Sequence, residues 1–199
     1  MSRAMFKTVI SPTRRIIAWV ACLAVLMLPG IGFVQEPTYR SLLAFSPRDY
    51  YIRHVGFVGR IGPAKTDPDT RDAKFRIVPG LADKKCVSFE STNVRDHYFK
   101  NAFFRIVLAK RLDEQKFRED ATFCTVSGLH KSNRSGTASM SFRSLNYPDR
   151  YIRHRNFELW LDPFENTPLF RDDATFFMVQ PAAREMSFEG DTVLVPAGV

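Results

Sequence analysis

Residues 149–163 read DRYIRHRNFELWLDP. Two runs with strand-like alternation flank a short polar break at Arg155 and Asn156. In the second run Phe157, Leu159 and Leu161 share one face, with Glu158 and Trp160 on the other, the period-two pattern of a half-buried strand. The first run ends in the pair Arg153–His154. Taken alone, the stretch fits a half-buried structural histidine as well as a ligand contact.

The phrase recurs, and its recurrence decides the fold class. A first unit runs SLLAF (41–45), YYIRHVGFVGRI (50–61) and TRDAKFRIVPG (70–80). The second runs VSFEST (87–92), HYFKNAFFRIVL (97–108) and FREDATFCTVSG (117–128). The third runs MSFRSL (140–145), RYIRHRNFELWL (150–161) and FRDDATFFMVQP (170–181). His54, Asn101 and His154 fill one slot; Asp72, Asp120 and Asp173 fill another. The longer spacing into the third unit comes from the polar insert HKSNRSGTA (130–138), whose Ser, Asn and Gly predict a loop. Each unit offers about four short strands between Pro, Gly, Asn and Asp turns, with no sustained helical period. One unit cannot bury its own apolar face, so three must close around a shared core. The expectation is an all-β domain over 41–181, a β-trefoil with repeats at about 41–80, 87–128 and 139–181. A three-bladed propeller is the poorer alternative, since propellers need four or more blades. Phe75, Phe123 and Phe176 recur in register and are expected in the core, while Trp160 faces the other way.

Around this domain the composition narrows the setting. Of the formal charge of +8, four units come from Arg3, Lys7, Arg14 and Arg15, ahead of the first acid at Glu36. Elsewhere the signs are interspersed, as in KRLDEQKFRED, which argues against a nucleic-acid footprint. The basic lead is followed by the apolar run Ile16–Leu28, the two parts of an export signal. The uncharged stretch continues to Val34, about the ~20 residues that span a bilayer, so an uncleaved anchor is the rival reading of 1–35. Either way the domain is expected outside the cytoplasm, secreted, periplasmic or membrane-tethered. Cys22 lies within the apolar run and reads as signal sequence. In an oxidising compartment Cys86 and Cys124 are expected to form a disulfide; without clustered His or Cys they make no zinc site. Neither metal nor cofactor is expected. The tail 182–199 reads as a terminal strand or strap, and the chain as a monomer.

YIRH, F-x-L-x-L, FRDDATF and the openers VSFES and MSFRSLNYP resemble the arabinofuranose-binding domain of fungal and bacterial α-L-arabinofuranosidase B, the family 42 carbohydrate-binding module. The resemblance covers roughly 41–181. It implies a β-trefoil in which each unit holds one pocket for a terminal L-arabinofuranosyl side chain of arabinoxylan or arabinan. It also implies that the histidine of the RH pair and the aspartate of DATF supply the polar contacts, and that Cys86 is bridged to Cys124. By position these are His154 with Asp173, and His54 with Asp72. The first unit departs from the pattern in DAKF and in Asp69, which replaces the Phe of positions 117 and 170. The second keeps Asp120 but has Asn101 in the histidine slot, and is expected to be silent.

The residue types suit that ligand. A carboxylate accepts from two hydroxyls, and a neutral imidazole donates through one nitrogen and accepts through the other. An aromatic wall, with Tyr151 and Phe157 as candidates, would meet the apolar ring edge. Turnover is not expected. Glycoside hydrolysis usually uses two carboxylates facing across the bond. Asp172 with Asp173, or Glu119 with Asp120, would point to opposite faces of a strand. The residues ahead of 41 read as signal and linker rather than a catalytic domain. A sugar-binding module is therefore the leading reading. The rivals are a cell-surface protein-interaction trefoil with vestigial pockets and an α-L-arabinofuranosidase.

Overall fold

The computed structural model describes residues 38–183; the signal-or-anchor reading of 1–35 and the tail from 184 onward lie outside the described residues. Each unit has the same order of elements. The first has β1 (Tyr39–Ala44), β2 (Tyr51–Val55), β3 (Val58–Gly62), α1 (Asp67–Asp72) and β4 (Phe75–Pro79). The second has β5 (Val87–Ser91), β6 (His97–Ala102), β7 (Arg105–Lys110), α2 (Gln115–Asp120) and β8 (Phe123–Ser127). The insert forms a small hairpin, β9 (Asn133–Arg134) and β10 (Thr137–Ala138), where a plain loop was expected. The third unit has β11 (Met140–Ser144), β12 (Arg150–Arg155), β13 (Glu158–Pro163), α3 (Pro168–Asp173) and β14 (Phe176–Val179). The fold is all-β with three short helices.

Strand pairing closes two rings. The first and last strands of the units pair in the order β1–β4–β5–β8–β11–β14 and back to β1, all antiparallel. The hairpins β2–β3, β6–β7 and β12–β13 make the second ring through Val58↔Val107, Arg105↔Trp160 and Glu158↔Arg60. Each hairpin tip is stitched to the next unit. The Phe57 carbonyl accepts from Leu108 N at 2.7 Å, Phe104 from Leu161 N at 2.8 Å, and Phe157 from Ile61 N at 2.8 Å. The third unit thus leans on the first, and this places residues more than a hundred positions apart side by side.

The core fills the space inside these rings in symmetric layers. Leu42, Phe89 and Phe142 form one buried set, and Phe75, Phe123 and Phe176, expected in the core, form another. Phe89 meets Phe142 edge-on at 5.0 Å between ring centroids. Where the hairpins converge, Ile106 and Leu159 fill their slots and Gly59 takes the third. A Cβ on Gly59 would lie 2.9 Å from the Ile106 carbonyl and 3.1 Å from Leu159 Cδ1, so the glycine is required by space.

The helices are the main departure from the expected all-strand reading. Each is six residues long, too short to show a period in the sequence. Thr66 and Thr167 cap two of them through their hydroxyls, with Pro in the first turn. All three end at the recurrent aspartate and hand over to a fully buried alanine, Ala73, Ala121 or Ala174, where a larger side chain has no room. The motif D-A is therefore the end of a helix rather than part of a strand. Cys86 and Cys124 form a disulfide that staples the second unit across a separation of 38 residues. A closure of that length contributes roughly 2–4 kcal/mol. Among the described residues no helix is long and apolar enough to cross a membrane, and no group of three metal-ligating side chains is assembled.

Candidate functional site

The third unit holds an open cavity of about 470 Å³. His154 stands near the end of β12 and Asp173 at the end of α3; the fold brings them together from 19 residues apart, with His154 Nε2 at 3.4 Å from Asp173 Oδ1. Both are buried. Arg153 donates to the other carboxylate oxygen at 2.9 Å, and its guanidinium lies over the Phe170 ring at 4.9 Å. The His154 Nε2–H donates to the Ser46 carbonyl at 2.5 Å. A carbonyl can only accept, so Nε2 carries the proton and Nδ1 of the neutral ring is the acceptor.

The walls come from both ends of the domain. Phe157 lines the cavity from the β12–β13 turn, and Tyr50 and Pro47 line it from the first unit, with the Tyr50 and Phe157 rings 5.7 Å apart. Asn156 and Phe157 both have positive φ, at 52° and 64°, the backbone of a two-residue type I′ hairpin that holds the half-exposed Phe157 ring at the rim. Tyr151 does not line the cavity, contrary to expectation. It lies three residues before His154, back towards the start of β12, where it meets Phe164 edge-on at 6.0 Å. Tyr50 takes its place. Trp160, on the other face, is covered by Arg105 and Arg155, which lie over its ring at 4.4 and 4.6 Å.

The same scaffold carries different chemistry in the other units. In the first, His54 Nε2 is 3.4 Å from Asp72 Oδ1, but Asn93 stands between units where Ser46 stands in the third. The Asn93 amide donates to Asp72 at 2.7 Å and its carbonyl oxygen lies 3.0 Å from His54 Nε2. Asp69, in the slot of Phe117 and Phe170, draws Arg53 to 2.6 Å and leaves it 3.8 Å from Asp72. In the second unit Asn101 turns its carbonyl to the Phe104 N–H at 2.8 Å, and Asp120 takes the Asn146 amide at 2.8 Å. The neighbouring acids serve other partners: Asp172 accepts from His130 at 2.6 Å and Glu119 from Gln115 at 2.6 Å. Asp172 and Asp173 sit on a helix, not the strand assumed from the sequence, yet they still engage different neighbours.

Burial sets the protonation of the third-unit pair. It pushes the His154 imidazole below its ordinary value, against the opposing pull of the Asp173 charge and the Ser46 carbonyl. It pushes the Asp173 carboxyl up, against His154 and Arg153. Burial thus favours the neutral form of both groups, and Arg153 and His154 act to keep the charge on the carboxylate. The two groups act on stability with opposite sign. The depressed His154 is fully stabilising above the ordinary imidazole value and loses that contribution as pH falls through its folded pKa. The raised Asp173 contributes below the ordinary carboxylate value and loses it as pH rises through its folded pKa. Ligand contacts that need both groups in their neutral-pH forms should be level between about pH 7 and 8. They should weaken on acidification, beginning above the usual carboxylate range. A titration series across pH with any ligand of this cavity checks that profile.

Comparison with known proteins places this geometry. The model of the alpha-L-arabinofuranosidase B (ABFB) domain family matches residues 40–189. An arabinofuranosidase/B-xylosidase of Trichoderma koningii is 34% identical over 135 residues, which cover 63% of this chain and 26% of that protein. An anti-sigma-I factor of Acetivibrio thermocellus is 47% identical over 72 residues, 36% of this chain and 15% of that protein. A solved arabinofuranosidase complexed with arabinofuranosyl-alpha-1,2-xylobiose superposes with a TM-score of 0.64 at 26% identity, covering 74% of this chain and 32% of that one. The chain spans about a quarter of the length of the curated arabinofuranosidases it matches.

Proposed function

The chain belongs to the alpha-L-arabinofuranosidase B domain family, and from that premise we propose that it is an extracytoplasmic carbohydrate-binding module for terminal L-arabinofuranosyl side chains of arabinoxylan or arabinan. The reading assigns one working pocket, in the third unit, on a β-trefoil over 41–181. The two strand rings and the threefold tip contacts support the trefoil. The segment 1–35 serves as signal or anchor, and the module acts as a monomer.

The observation that carries the function is the third-unit cavity. Its carboxylate, imidazole and aromatic rim meet around open space, and the Asn that occupies Asp72 and Asp120 is absent. Asp173 accepts from the 2- and 3-hydroxyls in this reading, and Phe157 with Tyr50 covers the ring edge. His154 fixes the first-unit loop through Ser46 and supplies Nδ1 as an acceptor. The first and second units contribute little, because their carboxylates are already engaged. One pocket without avidity implies a dissociation constant of ~0.1–1 mM, or roughly 4–5.5 kcal/mol.

Affinity electrophoresis tests this. Arabinoxylan in the gel should retard the protein, and the same xylan stripped of arabinose should not. His154→Ala should migrate freely in both. Purified protein should release no arabinose from p-nitrophenyl α-L-arabinofuranoside. Free migration of the wild type would favour the protein-interaction reading, and arabinose release would favour the enzyme.

A further inference from the structure

The second unit also has a cavity, about 300 Å³, in the position equivalent to the third unit's pocket, but its balance is shifted towards donors and positive charge. Asp120 is only 3% exposed. One of its oxygens takes the Asn146 amide at 2.8 Å, and the other faces Lys116 Nζ at 3.3 Å and Lys100 Nζ at 3.5 Å. With both oxygens engaged, it has little left to accept a sugar hydroxyl. Asn101 is 5% exposed and spends its carbonyl on Phe104 N, so its amide is the end that can meet a ligand, as a donor. Donors dominate among the groups left to meet a ligand here, with the Tyr147 hydroxyl able to act either way, and two ammonium groups face one carboxylate.

The rim points the same way. Phe104 and Tyr147 meet edge-on at 5.3 Å, and the Arg150 guanidinium lies over Phe104 at 3.8 Å, adding positive charge. Phe103 occupies the first turn position at φ 51°, where the other units have Gly56 and Asn156, and its side chain is 100% exposed. A bulky residue in the left-handed region is strained, and here it gains no burial in return; such strain is commonest at binding sites.

We propose that the second unit binds an acidic sugar, a hexuronate, rather than a neutral arabinofuranose. The ligand carboxylate meets Lys100, Lys116 and the Asn101 amide, and an apolar face of the pyranose ring lies against Phe103 and Phe104. A ligand carboxylate gives Lys100, Lys116 and the Asn101 amide an acceptor and offsets the ammonium charge that Asp120 alone does not balance.

Calorimetric titration of the full chain with methyl β-D-glucopyranosiduronic acid, against methyl β-D-glucopyranoside, tests the assignment. The glucuronide should bind at least about tenfold more tightly than the glucoside, and more weakly as salt rises to about 0.5 M. Lys116→Glu should weaken it about fivefold or more; this side chain is 73% exposed, so the variant folds. Phe103→Asn should weaken it as well. His154→Ala should leave it unchanged while removing arabinoxylan retention, which separates this site from the third unit's. Equal binding of glucoside and glucuronide, no glucuronide binding, insensitivity to Lys116→Glu, or loss in His154→Ala would each overturn the proposal.

Discussion

Asp173→Ala should lose arabinoxylan binding entirely, and it should do so for two reasons that a second variant separates. Asp173 lines the third-unit cavity, where the proposed function makes its carboxylate the acceptor, and Arg153 donates to it at 2.9 Å. Truncation removes the ligand contact and also leaves a buried guanidinium without its nearest counter-charge, since Asp162 is 3.8 Å away. Breaking a buried pair from one side costs about 3–5 kcal/mol, so the alanine variant should also melt earlier. Asp173→Asn keeps an oxygen to accept from Arg153 and most of the packing, and should melt closer to the wild type. It should still bind arabinoxylan at least about tenfold more weakly, because a charged acceptor is roughly twice as strong as a neutral one and the amide replaces an acceptor with a donor. Normal retention by a folded Asp173→Asn would show that the carboxylate charge is not used.

The largest effect on stability is expected at Phe176. Its side chain is fully buried, and β14 closes the six-strand ring on both sides, pairing Phe176 with Ala44 of β1 and Met140 of β11. Its ring lies 6.1 Å from Phe142. Phe176→Ala should cost about 3–5 kcal/mol, the transfer free energy plus the cavity left behind. In a chain of this size that lowers the melting temperature by roughly 10 °C. Phe123→Ala occupies the equivalent slot in the second unit and should cost about the same, within ~1 kcal/mol. Urea unfolding monitored by circular dichroism gives both values. Two costs below ~1 kcal/mol would mean that the three phenylalanines do not share one close-packed core.

The repeat made the architecture legible because each slot recurs with its chemistry. Phe75, Phe123 and Phe176 could be assigned to the interior from their register alone, and His154 and Asp173 could be paired by position. What stayed hidden follows from ring closure. Tyr50 and Ser46 belong to the first unit but complete the third unit's cavity, and no local pattern places residues 46–50 beside 154–157. A cyclic reading of the units, with each pocket finished by the opening loop of the next, would have found them: Tyr50, His97 and Arg150 share a slot and meet Phe157, Phe57 and Phe104 in turn. The helices were invisible because six residues are under two turns. Tyr151 is close to His154 in sequence but lies three residues back along an extended strand, roughly 10 Å at ~3.3 Å per residue, beside Phe164 instead of the cavity. Asp69 breaks the repeat in the sequence, and only the structure shows its effect: it draws Arg53 away from Asp72.

The most direct measurement is a titration of isotopically labelled protein with an arabinofuranosyl xylo-oligosaccharide, followed residue by residue by NMR. The account predicts saturable shifts confined to the third-unit cavity, at Arg153–Phe157, Asp173 and the first-unit loop Ser46–Tyr50. Shifts centred on His54 and Asp72, or none at ligand concentrations above a few millimolar, would contradict it.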